Sequence, residues 1–259
     1  MMGQGQIRHR MLLLLVLCGS SGGVMAAAAG LKLNLQLANT RESLTNDRGD
    51  WYEQSVAVGV NRDRRQIAYV SVRETERFGL KDREAGIGAM FEAAAGATFA
   101  VDATSSETHR VLARDSVGMQ LSKSLGEGWV IGGGVKRSRY PASNSVLSNL
   151  SVEQYIGSWR FAYTAYLARA TGTAYSSSHR LGANYYFGDD LSAGFYAARG
   201  TELENMAGQG LRAMAVVNAS ANATWRITPD LSLSLDAERQ KQGSFYTRRG
   251  IRIGARIGF

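Results

Sequence analysis

The chain has 259 residues, 44% of them hydrophobic, with two prolines, 30 glycines and a formal charge of +8. Beyond Val24 no stretch of eighteen residues is continuously apolar, which excludes a transmembrane helix downstream of the first segment. The positive charge invites a nucleic-acid partner, but no nucleic-acid motif is present. Cations that line a lumen or meet anionic lipid headgroups are the simpler reading.

Residues 1–26 read as a cleaved signal peptide, leaving one domain over 27–259. Arg8 and Arg10 supply the positive segment, Met11 to Cys18 the apolar one, and Val24-Met25-Ala26 a cleavage site, with 26–28 as the alternative. Cys18 is the single cysteine. A lipoprotein anchor needs a small residue before it, and Leu17 stands there. The mature chain then has no cysteine, so disulfides, thiol catalysis and thiolate metal sites are excluded. The segment holds two arginines and no acid, so the charge falls from +8 to +6.

After residue 30 the dominant signal is period-2 alternation. Leu31, Leu33, Leu35 and Leu37 alternate with Lys32, Asn34 and Gln36, and Leu231, Leu233, Leu235 and Ala237 with Ser232, Ser234, Asp236 and Glu238. Alternation puts apolar and polar residues on opposite faces of a strand. The runs last about 9–16 residues, longer than soluble strands and long enough for a tilted membrane strand. The predicted fold is therefore all-β: an antiparallel transmembrane β-barrel of about 14 strands, with 12 or 16 as alternatives. The strands fall near 30–38, 51–61, 65–73, 84–94, 97–105, 115–125, 129–139, 146–156, 159–169, 175–188, 191–199, 211–226, 231–241 and 246–259. Short turns alternate with longer polar loops near 39–50, 74–83, 106–114, 140–145, 170–174, 200–210 and 242–245. That asymmetry puts short turns in the periplasm and loops outside, as in Gram-negative outer membranes. Trp51, Trp129, Trp159 and Trp225 fall at strand ends, the expected place of an interfacial aromatic girdle.

The last strand sorts Ile251, Ile253, Ala255, Ile257 and Phe259 onto one face and Arg248, Arg252 and Arg256 onto the other. An arginine facing lipid at mid-depth costs about 2–4 kcal/mol, so the arginine face is the lumen. Arg252, Gly254, Ile257 and Phe259 look like the terminal signal read by the barrel-assembly machinery. Parity sends Lys32, Arg73, Lys136, Arg160, Arg180 and Arg212 inward too, with Glu84, Glu92, Asp102, Glu153, Asp236 and Glu238. Asp236 and Glu238 can reach Arg248 or Arg252 across the final hairpin. Mutual neutralisation is the favoured reading of these charges; a basic pathway or binding surface for anionic solutes or glycans is the sharper one.

An enzyme is the rival class. Outer-membrane lipid hydrolases activate a serine with a histidine. His179 follows three serines near the outer rim, but it shares parity with Leu181 and points outward. His109 lies in a loop. No orienting acid is placed beside either, so no catalytic residue is assigned. No cofactor or metal is expected. The nearest calcium-like segment, 46–50, is short of ligands and contains Arg48. Gly132, Gly133 and Gly134 lie within a strand and lack the lysine of a phosphate loop.

From about Val152 onward the chain resembles the YaiO family of outer-membrane β-barrels. The resemblance rests on Gly-Ser-Trp at 157–159, Asn-Tyr-Tyr-Phe-Gly at 184–188, Ala-Arg-Gly at 198–200, the run at 225–231, and Tyr246 with Gly250. It implies an outer-membrane barrel and carries over no catalytic residue. The expectation is a porin-like, non-enzymatic barrel whose partners are outer-membrane lipid, the assembly machinery and a small solute or glycan. The alternatives are a structural or surface-interaction barrel and a lipid-modifying enzyme.

Overall fold

The structure is a computed structural model that describes residues 31–46, 49–62, 66–94, 96–172, 175–206 and 210–259. The expected signal peptide, and Asp47 and Arg48 of the calcium-like segment, lie outside the described residues.

Fourteen strands follow one another: β1 (Leu31–Leu44), β2 (Trp51–Arg62), β3 (Gln66–Arg77), β4 (Leu80–Ala94), β5 (Ala97–Ser106), β6 (Asp115–Gly126), β7 (Trp129–Arg139), β8 (Asn144–Ile156), β9 (Trp159–Ala170), β10 (Ser176–Phe187), β11 (Leu191–Met206), β12 (Gly210–Thr228), β13 (Leu231–Gln242) and β14 (Tyr246–Gly258). Each pairs antiparallel with its sequence neighbours, and β1 pairs with β14 to close the barrel. The closing seam runs from Asn34 opposite Gly258 to Leu44 opposite Arg248. Phe259 extends it, its N–H donating to the Leu33 carbonyl at 2.9 Å.

The alternation explains why these segments pair in this register. Ile251, Ile253, Leu235, Phe195 and Val72 form part of a broad apolar exterior, each more than half exposed. In water such a surface would drive association. In a bilayer it is the required lipid contact, while closure satisfies every backbone group that lipid cannot. A one-residue slip would turn the arginines of β14 into lipid, so the register is strongly specified.

The strands are longer than alternation alone indicates at the outer rim. β1 continues through 39–44, β11 reaches Met206, and the loop expected at 74–83 is an extended hairpin. Above the bilayer both faces meet water, so the apolar signal disappears while ladder pairing continues. Cross-strand ion pairs hold these extensions: Arg41 with Asp50 at 2.9 Å, Arg83 with Glu74 at 2.9 Å and Lys81 with Glu76 at 3.3 Å. The β3–β4 hairpin turns on Phe78 and Gly79 alone, both at positive φ (54° and 73°). That two-residue geometry matches the strand twist. Among the described residues the register shifts lie beside turns at the opposite rim, between Glu92 and Ala94, Ser124 and Gly126, and Arg226 and Thr228.

The inside–outside assignment makes a direct prediction. Ile253→Arg should lower the unfolding free energy in lipid vesicles by about 2–4 kcal/mol, and Arg252→Gln, one residue away, by much less. Equal effects in denaturant titrations would refute the assignment.

Candidate functional site

The inward faces of the strands form a polar lumen, and its charges fall into two sets. The first set is paired, chiefly near the outer mouth. Arg248 on β14 reaches Glu238 on β13 at 2.9 Å and Glu42 on β1 at 3.4 Å. Arg73 on β3 reaches Glu84 on β4 at 2.7 Å and Glu53 on β2 at 3.4 Å. Lower down, Arg160 is bidentate to Glu153 (2.6 and 2.8 Å), and Lys136 meets Asp102 at 3.5 Å. Pairing of this kind offsets the desolvation of each charge.

An aromatic cluster sits among the outer pairs. Trp51 is 1% exposed, edge-on to Phe78 at 5.0 Å and Tyr246 at 5.8 Å. The guanidiniums of Arg77 and Arg248 lie over its ring at 4.7 and 5.3 Å. Trp51 therefore does not belong to a lipid-facing girdle. It shares the inward face of β2 with Glu53, a parity visible in the sequence but outweighed there by its position at a strand end. Trp129, Trp159 and Trp225 do face outward at the short-turn rim, each close to half exposed.

The segment 107–114 between β5 and β6 closes over this mouth. Asp82 on β4, itself 1% exposed, accepts the N–H groups of Val111 (2.7 Å) and Leu112 (2.8 Å) and the Thr108 hydroxyl (2.5 Å). Val111 and Leu112 are buried as a result. The Val111 carbonyl then accepts from the Asn205 amide at 3.0 Å. Asn205 is on β11, almost diametrically opposite in the strand order. Tyr140, beyond the end of β7, packs close by; burial and the Glu204 carboxylate push its phenol above the usual range. None of Asp82, Glu42, Arg77 or Glu204 is among the site residues read from the sequence.

A second set of interior cations has no carboxylate partner among the described residues. Arg252 and Arg256 are exposed to the lumen, and Lys32 lies on the neighbouring strand β1 with the same inward parity. Among the described residues no carboxylate lies within 4 Å of any of the three. Asp236 stands opposite Arg252 in register without forming the expected ion pair; only Glu238 of the two hairpin acids makes one. Arg180 stacks at 4.1 Å on Tyr196, whose hydroxyl donates to Asn184 at 2.6 Å. Gly182 makes this possible, since a Cβ there would collide with the Tyr196 ring. Arg180, Glu202 and Glu238 border a cavity of about 210 Å³ below the mouth. Arg212 keeps inward parity but sits exposed at the outer end of β12, opposite Glu204.

His179 is on the exterior, stacked on Tyr163 with its Nδ1 2.8 Å from the phenol oxygen. Ser176 and Ser178 are buried on the other face of β10. The strand thus separates this histidine from the two inward-facing serines of the run. His109 lies in the mouth segment beside Ser106.

The mouth anchor is testable. Asp82→Ala removes three hydrogen bonds to a charged acceptor, worth about 1.5–3 kcal/mol each. The segment 107–114 should open, and ionic conductance of the refolded barrel should rise. Unchanged conductance would show that this segment does not limit the bore.

Comparison with known proteins places the architecture. The CymD monoaromatic hydrocarbon channel superimposes with a TM-score of 0.56 at 10% identity, covering 93% of each chain. Omp33 of Acinetobacter baumannii gives 0.54 at 12% identity over 89% of this chain and 100% of that one. A KdgM porin gives 0.51 at 8% identity over 86% and 99%. At these identities the likeness is one of fold. No match was found among the curated proteins. The family model for the YaiO membrane beta barrel domain matches residues 32–200, so it takes in the N-terminal half upstream of Val152 and stops before the features at 225–231 and 246–250. The chain is an outer-membrane, multi-pass β-barrel and belongs to the YaiO family.

Proposed function

We propose that this protein is a non-enzymatic passage or binding barrel for anionic solutes or acidic glycans. The observation that carries the reading is the basic strip of Lys32, Arg252 and Arg256, which faces the lumen without an ion-pair partner among the described residues. Charges held only to brace a wall would be paired, as Arg73, Arg160 and Arg248 are. Unpaired cations in a water-accessible bore raise the local concentration of anions. Arg180, Glu202 and Glu238 around the cavity supply donors and acceptors suited to a hydroxyl-rich solute. In this reading the mouth segment sets when a solute passes, and the basic strip sets which charge is admitted.

The closed mouth supports a second reading, a barrel with a structural or surface-interaction role and no transport. The bridge from Val111 to Asn205 is its basis. We also infer that Arg252, Gly254, Ile257 and Phe259 serve as the assembly signal, with Phe259 exposed at the end of the closing strand. Deleting Phe259 should sharply reduce the heat-modifiable, folded fraction in outer membranes; an unchanged fraction would refute that role.

Planar-bilayer recordings separate passage from structure. A cation about 4 Å from a permeating ion in water contributes about 1 kcal/mol, or roughly fivefold in relative occupancy. In a salt gradient the wild type, or the Asp82→Ala form if the mouth stays shut, should prefer anions. Arg252→Gln with Arg256→Gln should lower the anion-to-cation permeability ratio several-fold. No conductance in either form, or no change in ratio, would favour the structural barrel.

A further inference from the structure

The outer rim carries a second set of cations, on the exterior. On β1 to β4 and between β6 and β7 these are matched by acids: Arg41 with Asp50, Arg83 with Glu74, Lys81 with Glu76 and Arg139 with Asp115. On β7 and β9 Arg137 and Arg169 stand singly, and Arg169 donates to the Tyr175 hydroxyl at 3.1 Å. On the outward faces of β11 to β14 the pattern changes. Arg199, Arg239, Lys241 and Arg249 are all exposed there, and no Asp or Glu shares the outward parity of these four strands. None of the four has an ion-pair partner among the described residues.

Their height is set by the sequence. Each lies just beyond an apolar stripe: Leu231 to Ala237 below Arg239, Ile251 to Phe259 below Arg249, and Leu191 to Ala197 below Arg199. That is the outer membrane–water boundary of a band of about 25 Å. Their spacing is set by the register. Arg239 stands directly opposite Arg249, and Lys241 is two residues further along β13. Val217 alone separates Arg199 from Lys241 across the ladder. Like charges directly opposite one another destabilise a sheet. An anion between them would reverse the sign of that contribution. Beside and beneath the cluster, β12 presents Ala219, Ala221 and Ala223 outward, a shallow strip with Phe195 of β11 and Leu235 of β13 at its flanks.

We propose that Arg199, Arg239, Lys241 and Arg249 bind the phosphorylated headgroup of an outer-leaflet glycolipid whose acyl chains lie down the alanine face of β12. The charge complementarity, the height at the interface and the continuity with a lipid-facing strip all fit a membrane-resident ligand. The site faces away from the lumen and is independent of passage.

The test uses the full refolded barrel in detergent micelles, titrated with diphosphoryl lipid A and followed by native mass spectrometry and thermal shift. Lipid A should bind and raise the melting temperature, less so as salt increases. The same lipid stripped of both phosphates should bind at least roughly tenfold more weakly, as should the variant R199Q/R239Q/K241Q/R249Q, because each interfacial cation adds severalfold to headgroup affinity. R252Q/R256Q, altered only in the lumen, should bind as the wild type does. If the quadruple variant fails to refold, R239Q/R249Q should show the loss in the same direction. Equal binding by the dephosphorylated lipid or by the exterior variants would overturn the proposal. Equivalent occupation by inorganic phosphate alone, or by a soluble acidic polysaccharide, would overturn the assignment to a lipid.

Discussion

Everything in this structure depends on the ladder between β1 and β14. A bilayer offers no hydrogen-bond partner, so a sheet that crosses it must have no edge. Eleven residue pairs from Asn34–Gly258 to Leu44–Arg248 remove the edge here. Once the sheet is closed, each strand has one face toward lipid and one toward the interior, and the chemistry of every residue follows from its parity. The arginines of β14 are tolerable only because closure provides an inside for them.

The interior is not uniform. Near the outer mouth, Arg73 and Arg248 are held by carboxylates from neighbouring strands, and Trp51, Phe78 and Tyr246 pack between them. A dry, packed region suits paired charges, since an isolated one there would be costly. Toward the periplasm the wall carries small polar residues such as Ser232, Ser234 and Asn222, and Arg252 and Arg256 stay exposed. Solvated cations need no partner. Arg160 is still paired with Glu153 at that end, so the same side-chain type braces one arc of the wall and presents a field on another. The exterior repeats this contrast: matched pairs on β1 to β4 and between β6 and β7, and an unmatched cluster on β11 to β14.

Much of this was legible in the sequence, and the part that was not has a common cause. Strand number, order and facing follow from local alternation, because lipid on one side imposes a period of two. The outward placement of His179 and the inward placement of Arg160 and Arg180 follow from the same rule. Trp51 departs from the girdle because parity, and not its place at a strand end, decides which way it faces. The strand extensions at 39–44 and 200–206 left no apolar signal, since both faces are wet. The mouth closure could not be read at all: Asp82, Val111 and Asn205 are far apart in the chain and meet only when the cylinder exists. Register showed that Asp236 faces Arg252, but only the folded side chains show that they do not pair.

The central claim is a basic, water-accessible lumen directly behind a lipid-facing stripe, and Ser234 and Leu235 straddle that boundary. Since Cys18 is the single cysteine and lies in the expected leader, cysteines placed at these two positions in the mature barrel report without background. Reaction with anionic and cationic methanethiosulfonate reagents in lipid vesicles measures access and field together. Ser234→Cys should react with both, faster with the anionic reagent after correction for intrinsic reactivity, and Leu235→Cys with neither. Equal rates for the two reagents at Ser234, or faster labelling at Leu235, would contradict the account.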